Sequence, residues 1–232
     1  MDAALHYRQF SSFDGLIPLL APAFTVHHYD RRGRGASTDT APYAVEREVE
    51  DLAALVDVAG GSAFVYGFSS GALLALHAAA AGLAIPKLAL LEPPIATDQD
   101  RPAQAAFTAH IAQLLAADRR EGLVTHVLTS IGVPDEVIAG MRESESWRAM
   151  LAVAHTMVYD STISESTSLS QLASVTTPTL VLDSQTSTDD LTGMAATVAQ
   201  ALPHATHRSL PGHWHGVSDD LLATVLTEFF AR

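Results

Sequence analysis

The run Gly67-Phe68-Ser69-Ser70-Gly71 constrains this chain more than any other stretch. It follows a short apolar segment at 63–66 and precedes an alanine-rich helical pattern at 70–81 that stops at Gly82. A strand that turns straight into a helix must bend sharply. Glycine on both sides leaves room where a Cβ would strike the neighbouring strand or helix. The bend lifts the Ser69 hydroxyl clear of the backbone, and the positive end of the following helix points at it. The Ser70 N–H can then face negative charge developing on a carbonyl under attack, so Ser69 reads as a nucleophile and Ser70 as an oxyanion donor.

The rest of the chain fits a strand–helix alternation. Strand candidates lie at 24–29, 63–66, 87–91, 179–182 and 206–210. Helical spacing is plain at 45–59, where Val49, Leu52, Leu55, Val56 and Ala59 share a face and Gly60-Gly61 ends the pattern. A final helix at 219–231 presents Leu222, Val225, Leu226 and Phe229, and an early one is expected at 10–20. Alternation of this kind predicts an α/β fold, a mostly parallel sheet with flanking helices. One block interrupts it. Between 95 and 168 only helices fit, at 103–117, 121–131, 135–142 and 146–157. The expected organisation is therefore a core of residues 1–94 and 169–232 with a helical cap or lid of residues 95–168. Such a cap would sit over the carboxyl edge of the sheet, where open α/β sheets bind ligands.

Composition excludes several function classes. With 232 residues, 48% of them apolar and 17% charged, the chain can bury a sizeable core. A net charge of −13 argues against nucleic acid, and the cluster Arg31, Arg32 and Arg34 is too short to reverse that. No apolar stretch reaches the roughly 18 residues of a membrane span. There is no cysteine, which removes disulfides, thiolate catalysis and cysteine zinc sites. No secretory signal is visible at the N-terminus, so a cytoplasmic location is the expectation.

A serine hydroxyl needs a general base, and histidine has the right proton affinity. Of eleven histidines, His215 stands out because it lies in the loop after the last strand, on the same rim as Ser69, with His213 as runner-up. A metal site built from His204, His207, His213 and His215 lacks the spacing such sites show, and no metal or cofactor is expected.

Together with Gly67–Gly71 and the loop at 212–215, the segment Tyr29-Asp-Arg-Arg-Gly-Arg-Gly-Ala-Ser37 resembles the α/β-hydrolase superfamily, its serine esterases and lipases in particular. The resemblance covers nearly the whole chain and implies a serine, acid, histidine order. It implies that Asp30 and Arg32 pair to brace their loop. It also implies an acid a few residues past the strand at 179–182, but there the position falls near Ser187. Some family members carry the acid at the end of the preceding strand, where this chain has Glu92 before a double proline. Glu92 is the favoured acid; Asp183, Asp189, Asp190 and the more distant Asp160 are its rivals.

The resemblance further implies a second oxyanion donor from an early loop. Aligning that loop puts Asp2-Ala3 in the family's His-Gly place and makes Ala4 N–H the donor, with Leu5 as the alternative. The family's first three strands have no counterpart, and one of them normally lies between the strands at 24–29 and 63–66. Either those two pair directly, or N-terminal residues fill the gap, or the reading frame starts too late; dimerisation through the open edge is a fourth outcome. The implied function is hydrolysis of a small apolar carboxylic ester or lactone through an acyl-enzyme. Phe68, Trp214, Met141, Trp147, Met150 and Met157 are candidate pocket residues. Lyase or C–C hydrolase chemistry on the same fold, or a non-catalytic ligand-binding relative, are the alternatives.

Overall fold

The computed structural model describes residues 1–97, 99–213 and 215–231, apart from the side chain of Asp189. Four strands, β1 (Val65–Phe68), β2 (Leu88–Leu91), β3 (Thr179–Thr186) and β4 (Ala205–His213), form a sheet in the order β1-β2-β3-β4. All the pairings are parallel, with Gly67 opposite Leu90, Leu90 opposite Val181, and Val181 opposite His207. β2 is buried along its whole length, as a strand covered on both faces must be.

One face is covered by α2 (Val45–Val58) and α3 (Ser70–Ala80), together with α10 (Asp189–Ala201). Their core includes Leu52, Leu74, Leu88, Leu90, Val181 and Val198. The other face is covered by α1 (Leu16–Leu20) and α11 (Asp219–Ala231), with Leu16, Ala89, Leu182, Leu222 and Leu226 between them and the sheet. Gly60 and Gly61 end α2 at φ 104° and 88°, a conformation closed to most side chains.

Between β2 and β3 the chain forms α4 (Arg101–Ala116), α5 (Arg120–Ser130), α6 (Asp135–Met141) and α7 (Glu145–Ala152). A short 3-10 turn, α8 (Met157–Ser166) and α9 (Leu169–Leu172) follow. A third core joins Ile111, Leu123, Val127, Trp147, Met150 and Met157. Three of the candidate pocket residues are thus committed elsewhere: Trp147, Met150 and Met157 are buried in the core of the helical block itself. Trp214 lies outside the described residues.

Two expected elements differ. Residues 24–29 join no ladder. A strand needs a hydrogen-bonding neighbour, and the space between this segment and β1 is a cleft of about 610 Å³ lined by Phe13, Leu16, Phe24, Val26, Val65 and Tyr66. N-terminal residues occupy only its far end, where Met1 N donates to Tyr66 O at 2.5 Å and Phe68 N donates to Met1 O at 3.1 Å. The helix expected at 10–20 is confined to Leu16–Leu20, because Ser11 and Ser12 turn their hydroxyls to the Asp2 carboxylate and Ser11 Oγ accepts from Phe13 N.

Candidate active site

Ser69 stands between β1 and α3 with φ 54° and ψ −123°. A Cβ on Gly67 would lie 2.5 Å from Gly71 O, and one on Gly71 would lie 2.5 Å from Met1 O, so both flanking positions require glycine. The bend is held by Ser69 N donating to Leu91 O at 2.9 Å.

Among the described residues only five other than glycine have positive φ: Leu5, Ser69, Glu92, Asp118 and His215. Four of these are residues that the sequence places in or beside one site. Strained backbone persists only where its surroundings enforce it, and it gathers at functional positions.

Glu92 follows β2 directly and is fully buried. Its Oε2 contacts His215 Nδ1. Its Oε1 accepts from Ser184 N at 2.7 Å, Ser184 Oγ at 2.8 Å and Ser187 Oγ at 2.7 Å. Burial by itself pushes the Glu92 carboxyl up, but the hydrogen bond and charge of His215 and the serine donors outweigh it and hold the group below the ordinary value. With Nδ1 engaged, His215 Nε2 is buried and has no hydrogen-bond partner among the described residues. The His215 ring lies 4.8 Å from that of Phe68, the residue before Ser69.

Ser187 was missed as a participant. Standing near the place where the resemblance implied an acid, it donates to Glu92 and accepts from His215 N at 3.1 Å. Its hydroxyl therefore ties the backbone of one to the carboxylate of the other.

The rival carboxylates have other partners. Asp183 faces His207 Nε2 at 2.5 Å and contacts Ser209 Oγ. Asp160 pairs with Arg31 at 2.9 Å and Arg34 at 2.6 Å. Asp190 is exposed on α10, and the side chain of Asp189 lies outside the description. His213 lies at the end of β4 and is exposed.

The brace expected between Asp30 and Arg32 is wired differently. Asp30 accepts from Arg8 N at 2.6 Å and Ala36 N at 2.9 Å, whereas Arg32 turns outward to Asp51 at 2.6 Å. Gly35 at φ 53° lets the loop wrap the carboxylate so closely that backbone donors satisfy it. Neither Ala4 N–H nor Ser70 N–H donates to a protein acceptor among the described residues.

Residues 3–225 match the model of the alpha/beta hydrolase family. The chain belongs to that family. An alpha/beta hydrolase from Sphaerobacter thermophilus is 44% identical over 98% of this chain and 90% of its own, with a TM-score of 0.87. At the level of fold, this family member is similar to an enol-lactonase from Burkholderia xenovorans (20% identity, 95% of this chain and 86% of that one, TM-score 0.66). It is likewise similar to a thermophilic esterase from Thermogutta terrifontis (20% identity, 94% and 84%, TM-score 0.69). No curated protein matches the sequence significantly.

Proposed function

We propose that this chain is a serine hydrolase that cleaves a small carboxylic ester or lactone through an acyl-enzyme. The observation that carries the reading is the buried Glu92–His215 contact, which leaves Nε2 unpartnered beside the turn that presents Ser69. Glu92 keeps the proton on Nδ1, so Nε2 is the basic nitrogen. His215 takes the Ser69 proton as Oγ attacks the carbonyl carbon. The oxyanion then accepts from Ser70 N–H and Ala4 N–H, both without an acceptor among the described residues. As the intermediate collapses, His215 returns the proton to the leaving oxygen, and a water activated by the same nitrogen releases the acid. Residues 95–168 act as the cap over this edge.

A fluorophosphonate probe tests the nucleophile, since it loses fluoride to an activated serine and stays attached through Oγ. Labelling of the wild-type protein and not of Ser69→Ala is expected, together with turnover in a panel of short esters and lactones. Folded wild-type protein that resists the probe would overturn the proposal.

A further inference from the structure

A buried charge cluster lies beside the proposed site without taking part in the proposed proton transfers. Asp160 on α8 belongs to the helical block, and Arg31 and Arg34 belong to the loop after residue 29; all three are nearly inaccessible. Arg31 makes a two-point contact with Glu48 at 2.8 Å and 2.8 Å, and reaches Asp160 at 2.9 Å. Its Nη1 also donates to Ser70 Oγ at 3.2 Å. Arg34 spends one nitrogen on Asp160 at 2.6 Å. The other spans two carbonyls, Ala3 O at 2.8 Å and His6 O at 3.4 Å.

Those two carbonyls bracket Ala4 and Leu5. The bracketed turn is tight, for His6 Nδ1 meets Ala4 O at 2.8 Å and Leu5 sits at φ 62°. The Leu5 side chain enters the core of the helical block, with Ile111, Trp147 and Met157. The early loop is therefore held twice by the block between β2 and β3, once by apolar packing and once by charge through Arg34.

We propose that Asp160 is a positioning residue for the oxyanion hole: through Arg34 it fixes the 3–6 turn that carries Ala4 N–H, and with Arg31 it fixes Ser70, which carries the other donor. This rests on the hydrolase reading above. Asp160 touches no reacting atom. Its contribution is to hold Arg34 where both carbonyls can accept from it, because a guanidinium in so buried a place needs a carboxylate to stay there. The arrangement joins the helical block to the catalytic edge, so the block shapes the electrostatics of the reaction as well as covering it.

The test is Asp160→Asn in the full chain, with Arg34→Lys as a second variant that keeps the charge and loses the fork. Hydrogen–deuterium exchange over residues 2–8 reads the turn directly, and hydrolysis of p-nitrophenyl acetate reads the chemistry. The expected result is faster exchange over 2–8, a fall in kcat of about 100-fold, the cost of one lost oxyanion donor, and a KM within threefold of wild type. Exchange equal to wild type in both folded variants would overturn the proposal. So would a KM change that accounts for the whole loss. If Asp160→Asn does not fold, Arg34→Lys decides by the same two readouts. If wild-type protein hydrolyses nothing and resists the fluorophosphonate, the hydrolase reading fails, and the exchange measurement still decides whether Asp160 holds the turn.

Discussion

Glu92 and His215, 123 residues apart in the chain, meet through Oε2 and Nδ1 in a place closed to water. The pairing is sterically exacting, since both residues adopt positive φ, 46° and 63°. The carboxylate is saturated on its other oxygen by two serines. Replacement of Glu92 by Gln preserves the shape and the acceptor facing Ser184 while removing the charge. The expected outcome is a fall in kcat of about 10⁴, with fluorophosphonate labelling slowed in parallel and the melting temperature little changed. Retention of a tenth of the wild-type kcat would exclude Glu92 as the orienting acid.

Ser187 tests the same geometry from the other side. Removing its hydroxyl in Ser187→Ala deprives Glu92 of one donor and His215 N of its acceptor. A hydrogen bond to a charged group contributes about 1.5–3 kcal/mol, so kcat should drop at least tenfold with KM unchanged. Steady-state kinetics on any ester the protein turns over provides the check.

Gly71 links the elbow to the early loop. A Cβ there would lie 2.5 Å from Met1 O and 2.6 Å from Asp2 O, both backbone atoms that cannot swing aside. Gly71→Ala should push residues 1–4 outward and misplace Ala4 N–H, lowering kcat by about 100-fold. The α3 helix itself tolerates alanine. Far-ultraviolet circular dichroism should therefore match wild type, and a loss of helicity would assign the effect to misfolding.

His77 governs a pH dependence of stability away from the site. Burial lowers its pKa below the ordinary 6.5. The neutral ring is matched to its partners, with Nε2 at 2.9 Å from Thr167 Oγ1 and Nδ1 at 3.2 Å from Gln171 Nε2. A histidine with a depressed folded pKa binds its proton more readily in the unfolded chain, so stability rises with pH in that window. Unfolding free energy should be flat with respect to this group above pH 6.5 and decrease as pH falls below it. His77→Gln should remove this slope below pH 6.5, as read by urea denaturation at a series of pH values.

Trp147 anchors the helical block. It is buried at 2% exposure, with the Arg142 guanidinium over its ring at 5.4 Å. Trp147→Ala should destabilise the protein by about 3–5 kcal/mol. Because Leu5 shares that core, protection of residues 2–8 against hydrogen exchange should weaken as well. Chemical denaturation and exchange on one sample measure both effects.

Much of the architecture is legible locally. The parallel α/β pattern, the elbow around Ser69 and the helices α2, α3 and α11 lie close to where periodicity and glycine punctuation put them. Local signals fail where neighbours decide. Residues 24–29 have the composition of a strand, yet no ladder forms without a strand beside them. Asp30 and Arg32 look like a pair in sequence, but Ala36 N in the Gly35 turn and Arg8 N from the N-terminal segment offer Asp30 backbone donors instead. The helices α8 and α10 escaped notice, although Asp160 on α8 was already a candidate acid. Trp147, Met150 and Met157 have a composition that suits a pocket as well as a core, and packing assigns them to the core.

The sequence by itself marked the elbow, since two glycines around a serine between a strand and a helix announce a sharp turn, and Gly67 is required by the backbone of Gly71 only four residues on. For the carboxylate beside His215 the sequence favoured Glu92 over several rivals, and only the tertiary structure brought the two together. Ser184 comes from β3, and Glu92, Ser187 and His215 from the segments just beyond β2, β3 and β4; the parallel register brings them to one edge of the sheet. The same holds for Arg34 and Asp160, whose 126-residue separation closes only when the helical block packs against the core. Charges in water are nearly indifferent to one another at such range, and burial, by lowering the local dielectric, makes their pairing matter.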